Sequence, residues 1–413
     1  MRAVTSANVP LPRLSGGPAF VGLLLTFTVV MIGTTVPTPM YSLYAADLGF
    51  SGVVSTVIFA VYAVGVLAAL LLLGRWSDTL GRRPLLLAGI GCALVSSLVF
   101  LTAGPVPQLL VGRLFSGLSA GIFAGTATAA VLEAAPESWR ARAPFLATGV
   151  NTGGLGLGPL LAGLAVQYLP SPLHLSFAVH LVLLLAVALV VLAVPETVRV
   201  APGARPPKVQ RLGVPGEVRT LFVSAATAGF AGFAVLGLFT AVSPRIVTEI
   251  LGMDNHAVVG LVPFVLLGSS TAAQIGLRSL PRTVALNLGC VALAVGILLV
   301  TAALWWASFP ALVAGAVLAG AGQGTSFSSG LASVTARVAP AHRAEVASTF
   351  FVVLYVAISL PVVGEGLAAQ VWGLRTAGVV FTLAVAVLAL VALAALLRQQ
   401  RAPQQARAPF TAR

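Results

Sequence analysis

The sequence predicts an all-α membrane protein with twelve transmembrane helices arranged as two six-helix bundles. Three observations support this prediction. Hydrophobic residues make up 58% of the chain and charged residues only 8%, the apolar residues fall into long runs, and the two halves of the chain resemble each other. A soluble protein has about 45–50% apolar and about 25% charged residues. The main solvent of this chain is therefore lipid.

Each apolar run is long enough to cross a bilayer as a helix, which takes about 20 residues. Helices are expected because lipid offers no partner to backbone polar groups, and the runs lack the alternation of barrel strands. The runs lie near residues 19–44, 53–74, 84–103, 106–132, 143–168, 173–195, 220–243, 256–277, 283–306, 309–335, 346–369 and 375–397.

Basic residues divide unequally between the two sides of the membrane. If both termini lie on one side, that side collects all 23 Lys and Arg residues except Arg113, Arg245 and Arg375. By the positive-inside rule, both termini are expected in the cytoplasm. The formal charge of +13 is spread singly between apolar runs, which argues against nucleic acid as a partner.

The two halves repeat each other, which predicts two related bundles joined by a linker. The segment EAAPESWRARA after the fourth run matches ARVAPAHRAEVA after the tenth, with Pro136 at the place of Pro340. The predicted divisions are an N-tail (1–17), an N-terminal bundle (18–195), a cytoplasmic linker (196–219), a C-terminal bundle (220–397) and a C-tail (398–413).

The loop GRWSDTLGRRP between the second and third runs gathers charge in a chain that has little. Gly74 and Gly81 permit a tight turn. Asp78 and Arg82 stand four residues apart, the spacing of an ion pair on a helical turn. Glu133 ends the fourth run on the same side, where it could reach Arg82. The alternative is an ordinary basic loop that only orients the helices.

The same loop resembles the signature between spans 2 and 3 of the major facilitator superfamily, Gly-x-Leu-Ala-Asp-Arg-x-Gly-Arg-Arg/Lys. Trp76, Ser77 and Thr79 depart from this pattern. The number of spans, the repeat and the linker position match too, so the resemblance covers essentially the whole chain and implies the major facilitator fold. It also implies a cluster that latches the two halves in the outward-open state. The residues of this latch are Gly74, Asp78, Gly81, Arg82, Arg83 and Glu133.

Arg113 is a basic residue well inside a span, where charge is costly unless it faces a cavity or a partner. The stretch RLFSGLSAG resembles the span-4 motif Arg-x-x-Gln-Gly of the superfamily, with Gly117 matching and Ser116 in place of Gln. The resemblance implies a role in proton or substrate coupling. The alternative is that the side chain extends to the outer membrane surface.

The stretch GGLGLGPLLAG in span 5 lacks the preceding strand that a nucleotide-binding loop needs. It resembles the span-5 motif of drug:proton antiporters, which implies export, although Ala162 replaces one glycine. Close packing of small residues is the alternative. The matching residues are Gly154, Gly158, Pro159 and Gly163.

Glu365 in span 11 is an acidic residue inside an apolar run, and either proton binding or simple exposure to water explains it. His180 in span 6 is open to a titrating or a structural role. The resemblance implies a central cavity lined by spans 1, 4, 7 and 10, with few charges and several aromatic rings. The candidates for the coupling and substrate cavity are Arg113, Glu365, Thr34, Tyr41, Asn151, Phe230, Phe233, Gln323 and Phe327.

These observations predict a secondary active transporter that works by alternating access and exports small hydrophobic or amphipathic compounds, coupled to protons. The alternative is an uptake transporter or facilitator for a small metabolite or organic anion. No enzyme activity, cofactor or metal is expected, because the titratable residues are isolated and the two cysteines lack metal-ligand spacing. The expected partners are a small-molecule substrate, protons and the bilayer of a bacterial inner (plasma) membrane, with the chain acting as a multi-pass monomer.

Overall fold

The computed structural model describes residues 14–74, 76–198 and 210–401, which are almost entirely helical and contain no strand. Arg75, most of each predicted tail and residues 199–209 of the predicted linker lie outside the described residues. The helices of the first half are α1 Gly17–Thr35, α2 Gly52–Leu73, α3 Arg82–Leu101, α4 Val106–Ala134, α5 Ala143–Tyr168 and α6 Pro172–Ala193. Those of the second half are α7 Arg219–Gly237, α8 His256–Gly276, α9 Arg282–Trp306, α10 Phe309–Thr335, α11 Arg343–Trp372 and α12 Leu374–Arg401.

Eleven helices of the described chain are long and apolar enough to cross a membrane. The predicted run 309–335 also forms a helix, α10, and it carries no charged side chain. Its many glycines and serines lower its hydropathy, but its small residues allow neighbouring helices to approach closely. The twelve predicted runs therefore all become helices, and the all-α prediction is confirmed.

The first predicted run, 19–44, is divided in the structure. Helix α1 ends at Thr35, and a short second helix runs from Tyr41 to Leu48. Pro37 and Pro39 lie in the connecting turn, where neither has a backbone N–H to continue a helical hydrogen-bond ladder. The predicted single span was wrong at this point because hydropathy alone does not register the loss of two donors.

Span 7 contains another irregularity. After Gly237 the chain continues through a π-helical turn, Leu238–Val242, a short α-helical segment, Ser243–Arg245, and a second π-helical turn, Ile246–Ile250. Such turns are rare and are used mostly as single bulges. As a result, the side chains after Gly237 point in directions that differ from those in a regular α-helix.

The helices group into two compact units. The first comprises Met1–Gln210 with Asn255–Phe264, so it contains α1 to α6 and the first turns of α8. The second comprises Arg211–Asp254 with Val265–Arg413. In both, glycines bring backbones into contact: a Cβ on Gly117 of α4 would lie 2.1 Å from the Tyr62 carbonyl oxygen of α2, and one on Gly296 of α9 would lie 2.2 Å from the Ala319 nitrogen of α10.

Candidate functional site

Arg82 is the centre of an acid–base cluster at the start of α3. Its guanidinium forms salt bridges with Asp78 (2.6 Å) and Glu133 (2.8 Å), and it also donates to the Ser77 hydroxyl (2.6 Å). Asp78 lies on the short helix Trp76–Leu80, which places its carboxylate one turn before Arg82. The Arg82 side chain is only 11% exposed, whereas Glu133 is 34% and Asp78 59% exposed, so the pair with Glu133 is screened less than the pair with Asp78.

A carboxylate from the end of α6 joins the same cluster. Glu196 accepts hydrogen bonds from the backbone N–H groups of Arg82 (2.8 Å) and Arg83 (3.0 Å). The next residue, Thr197, donates its hydroxyl to Glu133 (2.6 Å), and the Arg83 guanidinium donates to the Leu192 carbonyl. The segment that follows α6 is therefore bonded to the loop that precedes α3.

Gly74 and Gly81 have different local roles. Gly74 has ordinary helical backbone angles at the end of α2, whereas Gly81 has a φ of +102°, a conformation that L side chains rarely adopt. The predicted tight turn is therefore found at the second of the two glycines, directly before Arg82.

Arg113 is almost fully buried in α4, with 1% of its surface exposed. Its Nη1 donates to the carbonyl oxygen of Thr34 (2.7 Å), at the end of α1. The guanidinium carbon lies 5.8, 5.6 and 4.8 Å from the ring centres of Tyr41, Phe59 and Tyr62. Aromatic faces attract a guanidinium electrostatically, and the attraction grows when water is excluded.

The surroundings of Arg113 contain polar atoms without partners. Among the described residues, no carboxylate forms a salt bridge with Arg113, and its Nε has no hydrogen-bond acceptor. The hydroxyls of Tyr41, whose ring faces the guanidinium, and of Ser116, one turn later on α4, are likewise buried and unbonded within the described chain. A buried group of this kind has a high free energy in the unbonded state, so this site is suited to accept a polar ligand or a change of partner.

The glycines of α5 bring this helix against two neighbours in the first unit. A Cβ on Gly154 would lie 2.7 Å from the Met31 Cβ, and one on Gly158 would lie 2.1 Å from the Thr35 Oγ1, so both contact α1. Thr35 in turn donates to the Leu155 carbonyl (2.8 Å).

The other end of the same motif packs on the beginning of α8. A Cβ on Gly163 would lie 3.0 Å from the Gly260 Cα, and one on Gly260 would lie 2.2 Å from the Pro159 carbonyl oxygen. Gln167, one turn further, accepts a hydrogen bond from the His256 backbone N–H (2.8 Å). Asn151, the remaining candidate on α5, is half-buried.

Aromatic rings from three helices form a cluster in the second unit. Phe233 of α7 lies 5.5 Å from Phe327 of α10 and 6.3 Å from Tyr355 of α11, and Phe327 lies 6.0 Å from Phe351. Phe230, one turn before Phe233, is half-buried. The structure thus brings together two of the predicted aromatic residues and adds two from α11.

Gln323 belongs to a polar contact inside the second unit. It is 4% exposed, and its Oε1 accepts a hydrogen bond from the Ser270 hydroxyl of α8 (2.7 Å). Gln274 donates to the same hydroxyl (3.2 Å). The amide oxygen of Gln323 is therefore bonded to a neighbouring helix.

Glu365 is buried in α11, with 4% of its surface exposed. Neither oxygen of its carboxylate has a hydrogen-bond partner among the described residues. Arg245 forms its salt bridge with Glu249 (2.7 Å) and not with Glu365.

His180 of α6 has two fixed partners. Its Nδ1 is 2.7 Å from the Ser97 hydroxyl of α3 and its Nε2 is 3.1 Å from the Val29 carbonyl of α1. The carbonyl accepts only, so Nε2 carries the proton and Nδ1 accepts from Ser97. This arrangement supports a structural role.

A family model for the Major Facilitator Superfamily matches residues 23–306. The chain belongs to the Major Facilitator Superfamily. Its members are transporters rather than enzymes, and the resemblance predicted from the loop after α2 is confirmed. The chain is a multi-pass membrane protein.

Relatives within the superfamily match part of the chain. The multidrug resistance protein MdtL of Escherichia coli O157:H7 is 27% identical over 51% of this chain and 53% of its own length. The class E tetracycline resistance protein of Escherichia coli is 34% identical over 27% of each protein. A myo-inositol transporter 3A of Cryptococcus neoformans is 28% identical over 45% of this chain and 31% of its own. The chain thus matches about half the length of the MdtL proteins.

Solved structures of the superfamily share the fold. A bacterial homologue of the human lysosomal transporter Spinster, in an inward-facing conformation, has a TM-score of 0.69, with 16% identity over 92% of this chain and 97% of that one. The human organic anion transporter MFSD10 has a TM-score of 0.62, with 19% identity over 92% of this chain and 99% of its own.

Sequence reasoning did not identify Glu196 and Thr197, which it assigned to the linker. The available signal was an acid directly after the sixth apolar run, on the side that carries most of the arginines. It also did not identify the rings of Phe59 and Tyr62 around Arg113, because both lie in an apolar run where aromatic residues are common.

Proposed function

We propose that this superfamily member is a secondary active transporter that exports small hydrophobic or amphipathic compounds in exchange for protons. Relatives named for multidrug and tetracycline resistance support the export of such compounds. The aromatic cluster of Phe233, Phe327, Phe351 and Tyr355 supports an apolar substrate, since aromatic rings offer contact area with little polar selectivity.

The observation that carries proton coupling is the buried carboxylate of Glu365 without a hydrogen-bond partner in the described chain. Ionisable groups inside a membrane are costly and are used mainly in ion pathways. A carboxyl group there can take up and release one proton per cycle when its access to water changes. Arg113 is the second coupling residue in this proposal, because its guanidinium is held by aromatic rings and one carbonyl rather than by an acid.

The cluster around Arg82 is the proposed cytoplasmic latch of the outward-open state. Its three carboxylates, Asp78, Glu133 and Glu196, are held by one guanidinium, one hydroxyl and several backbone N–H groups. The proposal includes cytoplasmic termini, since nearly all bases lie on that side, an inner-membrane location and a monomeric state.

A second candidate is uptake or facilitated diffusion of a small metabolite or organic anion. The absence of a carboxylate partner for Arg113 within the described residues favours an anion, because a guanidinium binds a carboxylate in a bidentate manner. The relative named as a myo-inositol transporter supports metabolite uptake.

Purified protein in liposomes with an imposed pH gradient tests these proposals. The probes are ethidium, tetracycline and benzoate. Export by exchange predicts that an acidic interior drives ethidium or tetracycline into the liposomes. Accumulation with an acidic exterior would instead indicate symport and contradict the export proposal. A benzoate flux that does not depend on the pH gradient and that is lost in Arg113→Ala would favour the anion facilitator.

Glu365→Gln is the decisive variant for coupling. We expect gradient-driven accumulation of the probe to fall about tenfold or more, towards the level without a gradient, because the amide cannot carry the proton. Exchange of probe molecules across the membrane in the absence of a pH gradient should persist. The control is Asp254→Asn, which removes an exposed carboxylate before α8. Accumulation by Glu365→Gln equal to that of the control would disprove the coupling role.

A further inference from the structure

The first turn of α3 is capped by a side chain from a distant part of the sequence. The first N–H groups of a helix have no partner within the helix. The residue before α3, Gly81, has no side chain to supply one, and no side-chain cap comes from it. Glu196, more than a hundred residues later, supplies both of its oxygens instead: Oε1 accepts from the Arg82 N–H and Oε2 from the Arg83 N–H.

The same carboxylate also fixes the segment from which it comes. Its Oε1 accepts hydrogen bonds from the backbone N–H groups of Thr197 (3.0 Å) and Val198 (3.2 Å). No salt bridge to Glu196 occurs among the described residues. Its negative charge is therefore stabilised by backbone N–H groups and by the positive end of α3.

Two further bonds make this contact a continuous network. Thr197 donates to Glu133, which is also a salt-bridge partner of Arg82, and the Arg83 guanidinium donates to the Leu192 carbonyl of α6. Arg82 is consequently fixed twice: its backbone is held by Glu196 and its guanidinium by Asp78 and Glu133.

The position of Glu196 also explains the glycine before Arg82. A Cβ at residue 81 would lie 2.6 Å from the Glu196 Oε2. Glycine is therefore suited to this place for two reasons, its positive φ and the space that the carboxylate occupies.

We propose that Glu196 is the positioning residue of the cytoplasmic cluster. By holding the first turn of α3 against the end of α6, it presents the Arg82 guanidinium to Asp78 and Glu133 and ties the cluster to the beginning of the linker. The proposal rests on the role of this cluster as a latch. The hydrogen bonds of Glu196 within the described residues go to backbone N–H groups and not to Arg113. Glu196 therefore affects the rate of the transport cycle and not substrate affinity.

The test compares Glu196→Gln with Glu137→Gln, which makes the same change of charge at another cytoplasmic glutamate whose side chain has no hydrogen bond within the described chain. The first measurement is residue-resolved hydrogen–deuterium exchange. The amides of Arg82 and Arg83 have Glu196 as acceptor, and a glutamine offers one oxygen where the carboxylate offers two. We expect their exchange to become about tenfold faster in Glu196→Gln and to remain unchanged in Glu137→Gln.

The second measurement is ethidium transport in liposomes. Glu196→Gln should lower the maximal rate about three- to tenfold and kcat/KM by the same factor, so that KM is unchanged, because it leaves the binding of the substrate intact. Thr197→Val provides a second variant. It breaks the bond to Glu133 and leaves the Glu196 cap intact, so it should lower the rate without faster exchange at Arg82 and Arg83.

Faster exchange together with a lower rate and an unchanged KM would support the proposal. Unchanged exchange would refute the cap, and faster exchange with a wild-type rate would refute the positioning role. A wild-type protein that moves neither ethidium nor tetracycline would instead overturn the proposed function. The exchange of the two amides would then still decide whether Glu196 holds the cluster.

Discussion

The loops after α2 and α8 occupy corresponding places in the two halves, but the arginines that begin the next helices have different partners. Arg82 begins α3 and Arg282 begins α9. Arg82 forms two salt bridges, whereas the Arg282 guanidinium donates to the Ala332 carbonyl at 3.5 Å. The helices also begin differently, since Gly81 before α3 has a φ of +102° and Pro281 before α9 has a φ of −53°.

The partner positions account for this difference. Glu133 stands three residues before Pro136, and Arg337 stands three residues before Pro340 at the matching end of α10. The first half therefore offers a carboxylate to its arginine, and the second half offers a like charge. The repeated positions thus carry opposite charges in the two halves, and the carboxylate of the first half belongs to the proposed latch.

The largest effect is expected for Arg82→Ala. The substitution leaves the carboxylates of Asp78 and Glu133 without their cation, which costs about 1–3 kcal/mol where groups are partly buried. We expect ethidium transport to fall at least about tenfold, as loss of about 1.4 kcal/mol changes an equilibrium tenfold.

The matched control for this variant is Arg282→Ala, which should stay within about twofold of wild type because a single long bond to a carbonyl contributes little. Membrane insertion of both variants is checked by size-exclusion profiles. An equal loss of transport in Arg82→Ala and Arg282→Ala would show that the two loops do not differ in function.

A smaller effect is expected for Asp78→Asn. The Asp78 side chain is 59% exposed, so solvent and salt screen its attraction for Arg82. Insertion should be normal and transport should fall about two- to fivefold. Because screening acts on the wild-type pair alone, raising the salt concentration should narrow the gap between the two proteins. A gap that is independent of salt would mean that Asp78 acts other than through its charge.

The smallest effect is expected for Arg337→Glu, which places an acid in the second half where the first half has Glu133. A new exposed pair with Arg282 would be worth at most about 1 kcal/mol. Thermal unfolding should therefore shift by only a few degrees upward, with transport within about twofold of wild type. A large loss of transport would show that the basic end of α10 has a function of its own.

The sequence alone was sufficient for the helices and for the local part of the cluster. Long apolar runs and their repeat predict the twelve helices, and the spacing of Asp78 and Arg82 predicts a pair that forms within one helical turn. These features depend on neighbours a few residues apart. The contribution of Glu196 depends on where α6 ends relative to α3, which no local pattern encodes.

Backbone irregularities were the other limit of sequence reasoning. Hydropathy does not reveal the break after Thr35 or the first π-helical turn, Leu238–Val242, because the residues at both places are apolar or small. The orientation of side chains beyond such points, such as Arg245 and Glu249, follows only from the actual hydrogen-bond register.

The contact between Gly33 and His180 has a consequence for how this protein can vary. A Cβ at residue 33 would lie 1.9 Å from the His180 Cε1, so even alanine requires the imidazole to leave its bonds to Ser97 and Val29. A smaller residue at position 180 would make room for alanine at position 33. Each of these changes alone is therefore harmful, while together they compensate in part, and the two positions should change in concert during evolution.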